Sequence, residues 1–333
     1  MNQIRIVSLP AWSLALLIGV GGVTSCRSDR PPNGTPTAEQ ATTPGLPLTA
    51  LRRDFKDSLP IPVGEKLEYE VKLSRFPVYT SLGIVTFEYL GPTGDPRTEP
   101  MIKGLNVEFN PPPEDRFLHL RAVVVSKGFL VKLFGADLKY RYETLADLRD
   151  FSAHLDLTEI EEGKDHSVQS IIYDRQQQQV KYLFTDLAKS EAPPRAKLLP
   201  HQDGMMSLLS AFYFTRLQDY KSGHLLRFPV STKETNYQFE IVVGGHQTLK
   251  TPCGKIKAVK LEPKLFGPGR LLNKKGEMTM WVTENRRHVP LQIVAKSGGA
   301  TITVRLTNYR DREKSCQIDD PRPEETSTQN REP

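Results

Sequence analysis

The 333-residue sequence is short of the features that mark most exported enzymes. It has no Gly-x-Ser-x-Gly elbow, no His-Glu-x-x-His pair, no phosphate-cradling loop and no dinucleotide fingerprint. Its three cysteines and seven histidines never stand at zinc-ligand spacing. Beyond residue 25 no apolar run is long enough for a membrane-spanning helix, so a water-soluble body is expected. A dense basic patch is lacking too. Lys and Arg total 45 against 39 Asp and Glu, a net charge of +6. The excess is scattered over predicted turns such as Asn273-Lys274-Lys275 and Glu284–His288, without interleaved aromatics, which counts against a nucleic-acid partner. The carboxylate pairs Glu161-Glu162 and Asp319-Asp320 fall in a predicted loop and the tail, where solvated charge is their usual meaning. No enzyme, cofactor or metal site is therefore expected.

What is present begins with a targeting signal. Residues 1–25 carry Arg5 as their only charge, then the apolar run Ala11–Val20, then small residues. The ending Val23-Thr24-Ser25-Cys26 resembles a bacterial lipobox. That resemblance implies a diacylglyceryl group on the Cys26 thiol, and Arg27 after it points to the outer membrane, facing the periplasm. Residues 26–50 are rich in proline, threonine and small polar side chains that cannot offset their ordering entropy, so a flexible tether is expected. Residues 313–333 read as a polar tail. Between them, residues 55–312 are ample for one β-rich domain, at a mean hydropathy for the chain of −0.43.

Most of that domain alternates with period two. Leu67, Tyr69, Val71 and Leu73 share one face of a first strand; Val85, Phe87 and Tyr89 share one face of the next. Further strand-like runs are Leu105–Phe109, Phe117–Val125, Phe129–Phe134, Lys139–Glu143, Ala153–Thr158, Val168–Asp174 and Gln179–Phe184. A proline-containing linker, Ser190–Pro200, follows. After it come Leu225–Val230, Asn236–Val243, His246–Lys250, Lys255–Glu262, Glu277–Thr283, Val289–Ser297 and Ala300–Tyr309. Gly244-Gly245 reads as a hairpin turn. One segment breaks the rhythm. Met206, Leu209, Tyr213 and Leu217 recur at helical spacing, with Met205, Leu208 and Phe212 widening the stripe. A main helix near 203–220, capped by Asp203, is expected to pack on a large antiparallel sheet curled into a barrel or half-barrel.

Four segments in order carry a family resemblance. They are Gly64-Glu65-Lys66-Leu67-Glu68-Tyr69 with Leu82-Gly83-Ile84-Val85; Leu208–Leu217; Thr251-Pro252-Cys253-Gly254-Lys255-Ile256; and Met280-Trp281-Val282-Thr283 with Arg287-His288-Val289-Pro290-Leu291. Over roughly residues 60–310 the chain resembles the domain-of-unknown-function family numbered 3108, a group of exported bacterial proteins. It departs at Asn285, where an acidic residue is expected, and in a longer middle section. The resemblance implies a mostly antiparallel β fold and a periplasmic or surface location, and it carries no activity to transfer.

Among single residues, Cys253 and Cys316 are an even pair in an oxidising compartment, either bridged or two free thiols. Arg216 lies one turn from the Phe212/Tyr213 stripe. It either snorkels to solvent or is buried against a carboxylate, with Glu65 and Glu277 as candidates. Tyr213 belongs to the same stripe. Trp281 reads as core packing or as a ligand platform. The functional expectation is a lipid-anchored envelope module that binds an apolar or amphiphilic ligand, or a partner protein. An assembly factor is the alternative, and a glycan or ester hydrolase a distant third.

Overall fold

The computed structural model describes residues 59–93, 117–127, 137–187, 194–232, 235–267, 270–272, 274–311 and 314–315. The signal, Cys26, the tether, the tail, Cys316 and the runs Leu105–Phe109 and Phe129–Phe134 lie outside the described residues.

The strands are β1 (Lys66–Arg75), β2 (Val78–Thr93), β3 (Phe117–Ser126), β4 (Leu138–Asp147), β5 (Ala153–Glu162), β6 (Asp165–Asp174), β7 (Gln179–Asp186) and β8 (Arg195–Pro200). Then come the helix α1 (Leu208–Thr215), β9 (Leu225–Thr232), β10 (Thr235–Thr251), β11 (Gly254–Pro263), β12 (Glu277–Thr283), β13 (Pro290–Ser297), β14 (Ala300–Asp311) and the short β15 (Lys314–Ser315). Among the described residues all strands form one sheet in the order β8-β7-β6-β5-β4-β3-β2-β1-β14-β13-β12-β11-β10-β9, with β15 on β14. Every named pairing is antiparallel. Two meanders are thus joined twice, by the β1–β14 ladder and by the segment carrying α1, which links edge strand β8 to edge strand β9 in the chain. The sheet curls without closing.

Local chemistry accounts for much of this. β1 buries Leu67, Tyr69, Val71 and Leu73 and leaves its alternate residues half-buried or exposed, as a sheet covered on one face requires. Gly83 serves a close approach: a Cβ there would lie 2.3 Å from the Val125 carbonyl oxygen of β3. The covered face packs on α1. Phe87 of β2 stacks on Phe212 at 4.4 Å between ring centroids, and Phe214 meets Phe228 of β9 edge-on at 5.6 Å. Met206, Leu209, Tyr213 and Leu217, the periodic stripe, are all buried in this core.

Three expectations need correction. The helix is shorter than 203–220. Its N-cap is Ser207, not Asp203: Ser207 Oγ accepts from Ser210 N–H while Ser210 Oγ accepts from Ser207 N–H. Residues before it are held by long-range pairing instead. Met205 O accepts from Ala153 N–H at 2.9 Å, and Met206 bridges to Val230 of β9. Second, Gly244-Gly245 is no hairpin. β10 runs straight through it, with a register slip between Val243 and His246 against β11. Third, the expected linker before the helix contains β8, which ends the sheet.

Candidate functional site

The two ends of α1 carry the densest polar chemistry. At its C-terminal end Arg216, 1% exposed, meets Glu65, 0% exposed. Nη1 donates to Oε2 at 2.5 Å and Nη2 to Oε1 at 2.8 Å, a bidentate pair. Arg216 Nε donates to Arg287 O at 3.2 Å, and His288 Nδ1 donates to Arg216 O at 2.8 Å. His288 sits in the left-handed region at φ 41°, its ring 4.3 Å from that of Tyr220. Tyr69 donates its hydroxyl to Pro290 O at 2.8 Å. Arg287 in turn donates to Tyr309 and Asp311. Burial alone would lower the Arg216 pKa, but the Glu65 carboxylate beside it raises it, so the guanidinium stays charged.

Glu65, Arg216, Arg287, His288 and Pro290 come from three of the four segments that carried the family resemblance. Tertiary folding brings them together, with Glu65, Arg216 and Pro290 buried and Arg287 and His288 half-buried. The alternative partner, Glu277, is exposed and pairs with Lys296. Tyr213 lies under Arg216, 5.5 Å from ring to guanidinium carbon, and its hydroxyl has no hydrogen-bond partner among the described residues. Trp281 is not brought to this cluster. It is half-buried, and strand alternation places it on the face opposite Met280 and Val282. Cys253 is disulfide-bonded, in the turn between β10 and β11.

At the N-terminal end of α1 lies a pocket of about 60 Å³. It is bounded by β4, β5, β6, the start of α1 and the end of β9. Asp156 is its acidic centre. The carboxylate accepts from Thr144 Oγ1 at 2.7 Å and from the Tyr173 hydroxyl at 2.8 Å. Burial pushes its pKa up to about 6, against the lowering effect of Thr144, Tyr173 and Ser207. Ser231 Oγ and the Tyr142 hydroxyl, both on buried lining residues, have no partner among the described residues. Glu143 also borders the pocket, but His119, Arg121 and Arg141 take its carboxylate; they hold its pKa below the usual range despite burial.

Sequence reasoning missed this site. In His154-Leu155-Asp156-Leu157-Thr158 an acid between two leucines reads as the solvated half of a strand. A second layer, α1, covers that half, and only the fold shows it. The same limit hid a surface cluster in which Glu159, Glu161 and His166 bring three potential ligand atoms within 4.8 Å of one another. Lys139 pairs with Glu161 and His166 with Glu159, so those groups already have partners.

The profile of the family described as "Protein of unknown function (DUF3108)" matches residues 105–325, more than half of the chain. The chain belongs to this family. The match begins well after residue 60, so this DUF3108 member draws Glu65, the partner of Arg216, from outside the matched range. No curated protein matches it. Among solved structures it is similar to a β-barrel-like protein of the domain of unknown function DUF1849 from Brucella abortus. Identity is 9%, coverage 75% of this chain and 98% of that one, and the TM-score 0.45. It is also similar to a putative exported protein with a YmcC-like fold from Bacteroides fragilis. There identity is 8%, coverage 76% and 98%, and the TM-score 0.25.

Proposed function

We propose that this protein is an exported, lipid-anchored β-rich scaffold of the cell envelope. It works through protein partners at its surface, not by catalysis and not by carrying a lipid inside its sheet. The observation behind this reading is the filled interior. α1, Phe87, Phe212, Phe214 and Phe228 occupy the covered face of the curled sheet. The pocket at the helix start, about 60 Å³, is far below the roughly 300–1,000 Å³ of pockets that enclose drug-sized ligands. The most buried charged pair, Arg216 and Glu65, is closed on itself. The sheet meanwhile ends in β8, exposed along most of its length, with Leu198 57% exposed. Such an edge is a template for strand addition by a partner.

Native mass spectrometry of the full chain, purified from the envelope, tests the reading. The expected mass is polypeptide plus the covalent N-terminal lipid only. A further lipid adduct that organic solvent extracts would overturn the scaffold reading in favour of a carrier. A photo-crosslinking residue in place of Leu198 then reports the partner, as one adduct of defined mass absent when the residue replaces a buried strand position.

A further inference from the structure

The pocket at the start of α1 has a charge balance that points to its occupant. Its lining includes two carboxylates and no lysine, arginine or histidine. The Glu143 carboxylate is neutralised by Arg121 and Arg141 and is hydrogen-bonded to His119. Asp156 has no such counter-charge among the described residues; the groups that hydrogen-bond to it are the neutral hydroxyls of Thr144, Tyr173 and Ser207. The helix end offsets at most about half a charge, and Ser207 Oγ already takes the Ser210 N–H. Two hydroxyl oxygens on the lining, Ser231 Oγ and Tyr142 Oη, lack partners though their residues are 2% and 7% exposed. A buried polar group left so is destabilising until a partner reaches it. Leu208, Leu209 and Ile171 supply apolar wall.

We propose that this pocket binds an aliphatic primary ammonium group. The Asp156 carboxylate and the Ser231 oxygen accept from its N–H donors, and Leu208, Leu209 and Ile171 pack on its carbon stem. An anion would face an unneutralised carboxylate, and a neutral alcohol would leave that charge unpaired. A quaternary ammonium has no N–H to donate. The volume, about 60 Å³, fits roughly four water-sized groups at about 15 Å³ each, the length of a short alkylamine. The amine is either a free small molecule or the lysine side chain of a partner. This inference stands apart from the scaffold reading and survives or fails without it.

Calorimetric titration of the full chain with propylammonium chloride tests it, with propan-1-ol as the neutral isostere. Saturable binding of the amine alone is expected, weakened at least tenfold in Asp156→Asn and in Ser231→Val. Affinity should fall about tenfold from pH 8 to pH 5, because a carboxyl titrating at about 6 is mostly protonated at the lower pH. Of the other titratable groups on the lining or bonded to Asp156, the phenols of Tyr173 of β6 and Tyr142 of β4 stay neutral, raised by burial well above their usual range, and Glu143 of β4 stays ionised, its pKa held below the usual range. The residues of α1, its cap and β9 that line the pocket do not titrate. N-acetyl-lysine methylamide distinguishes the sources: tighter binding than propylammonium assigns a lysine, weaker binding a free amine. Equal binding of amine and alcohol, unchanged binding in Asp156→Asn, or no saturation, which means water only, would each overturn the proposal. If Asp156→Asn does not fold, Ser231→Val and the alcohol comparison decide.

Discussion

Arg216 and Glu65 stand 151 positions apart in the chain and form a two-pronged ion pair that water does not reach. The pair fastens the C-terminal end of α1 to the residue just before β1, at the centre of the sheet. Breaking a buried pair leaves an uncompensated charge, at about 3–5 kcal/mol, whereas replacing both partners by apolar groups is often neutral. Glu65→Leu and Arg216→Met should each cost that much in denaturant unfolding, and the double variant much less than their sum. Additive losses would show that the two residues contribute independently.

The helix boundary is open to a similar comparison. Ser207→Ala removes the cap and should cost about 1 kcal/mol. Asp203→Ala, four residues earlier at an exposed position, should stay within about 0.5 kcal/mol. The opposite ranking would restore the longer helix.

Two glycines separate a close backbone approach from open space. Gly83→Ala places a Cβ 2.3 Å from the Val125 carbonyl oxygen, a backbone atom that cannot swing aside, and should cost about 1–3 kcal/mol. At Gly245 a Cβ meets nothing within 4 Å, so Gly245→Ala should be neutral or slightly stabilising in thermal unfolding.

Asp156 sets a pH dependence. Its folded pKa, about 6, lies above the unfolded value near 3.9, so the folded state binds more protons between the two. Stability should therefore fall as pH rises from about 4 to 6, by roughly 2–3 kcal/mol, and level off above. Plotted against pH, the stability difference between the native protein and Asp156→Asn should change across that window and be flat from 7 to 8. A flat difference throughout would place the Asp156 pKa at its ordinary value.

Much of the architecture was legible because it depends on neighbours in the chain. Leu67, Tyr69, Val71 and Leu73 alternate, and one covered face follows. Met206, Leu209, Tyr213 and Leu217 repeat with helical period, and a buried stripe follows. Arg216, one turn from that stripe, posed the right question, yet the sequence left solvent, Glu65 and Glu277 open as answers. Gly244-Gly245 misled because a glycine pair serves a bulge as readily as a turn, and the difference lies in β11 on the neighbouring strand.

By itself, then, the sequence determined most of the strands, though not β8 or the continuity of β10, and which stripe is helical and which side chains seek the core, since these depend on spacing along the chain. Only the tertiary structure decided where α1 begins, because Ala153 and Val230 hold Met205 and Met206 from a distance. It alone decided that Glu65 meets Arg216, and that Asp156 faces a pocket and not water. Each of those outcomes rests on burial by a second layer, and burial belongs to the assembled sheet and helix.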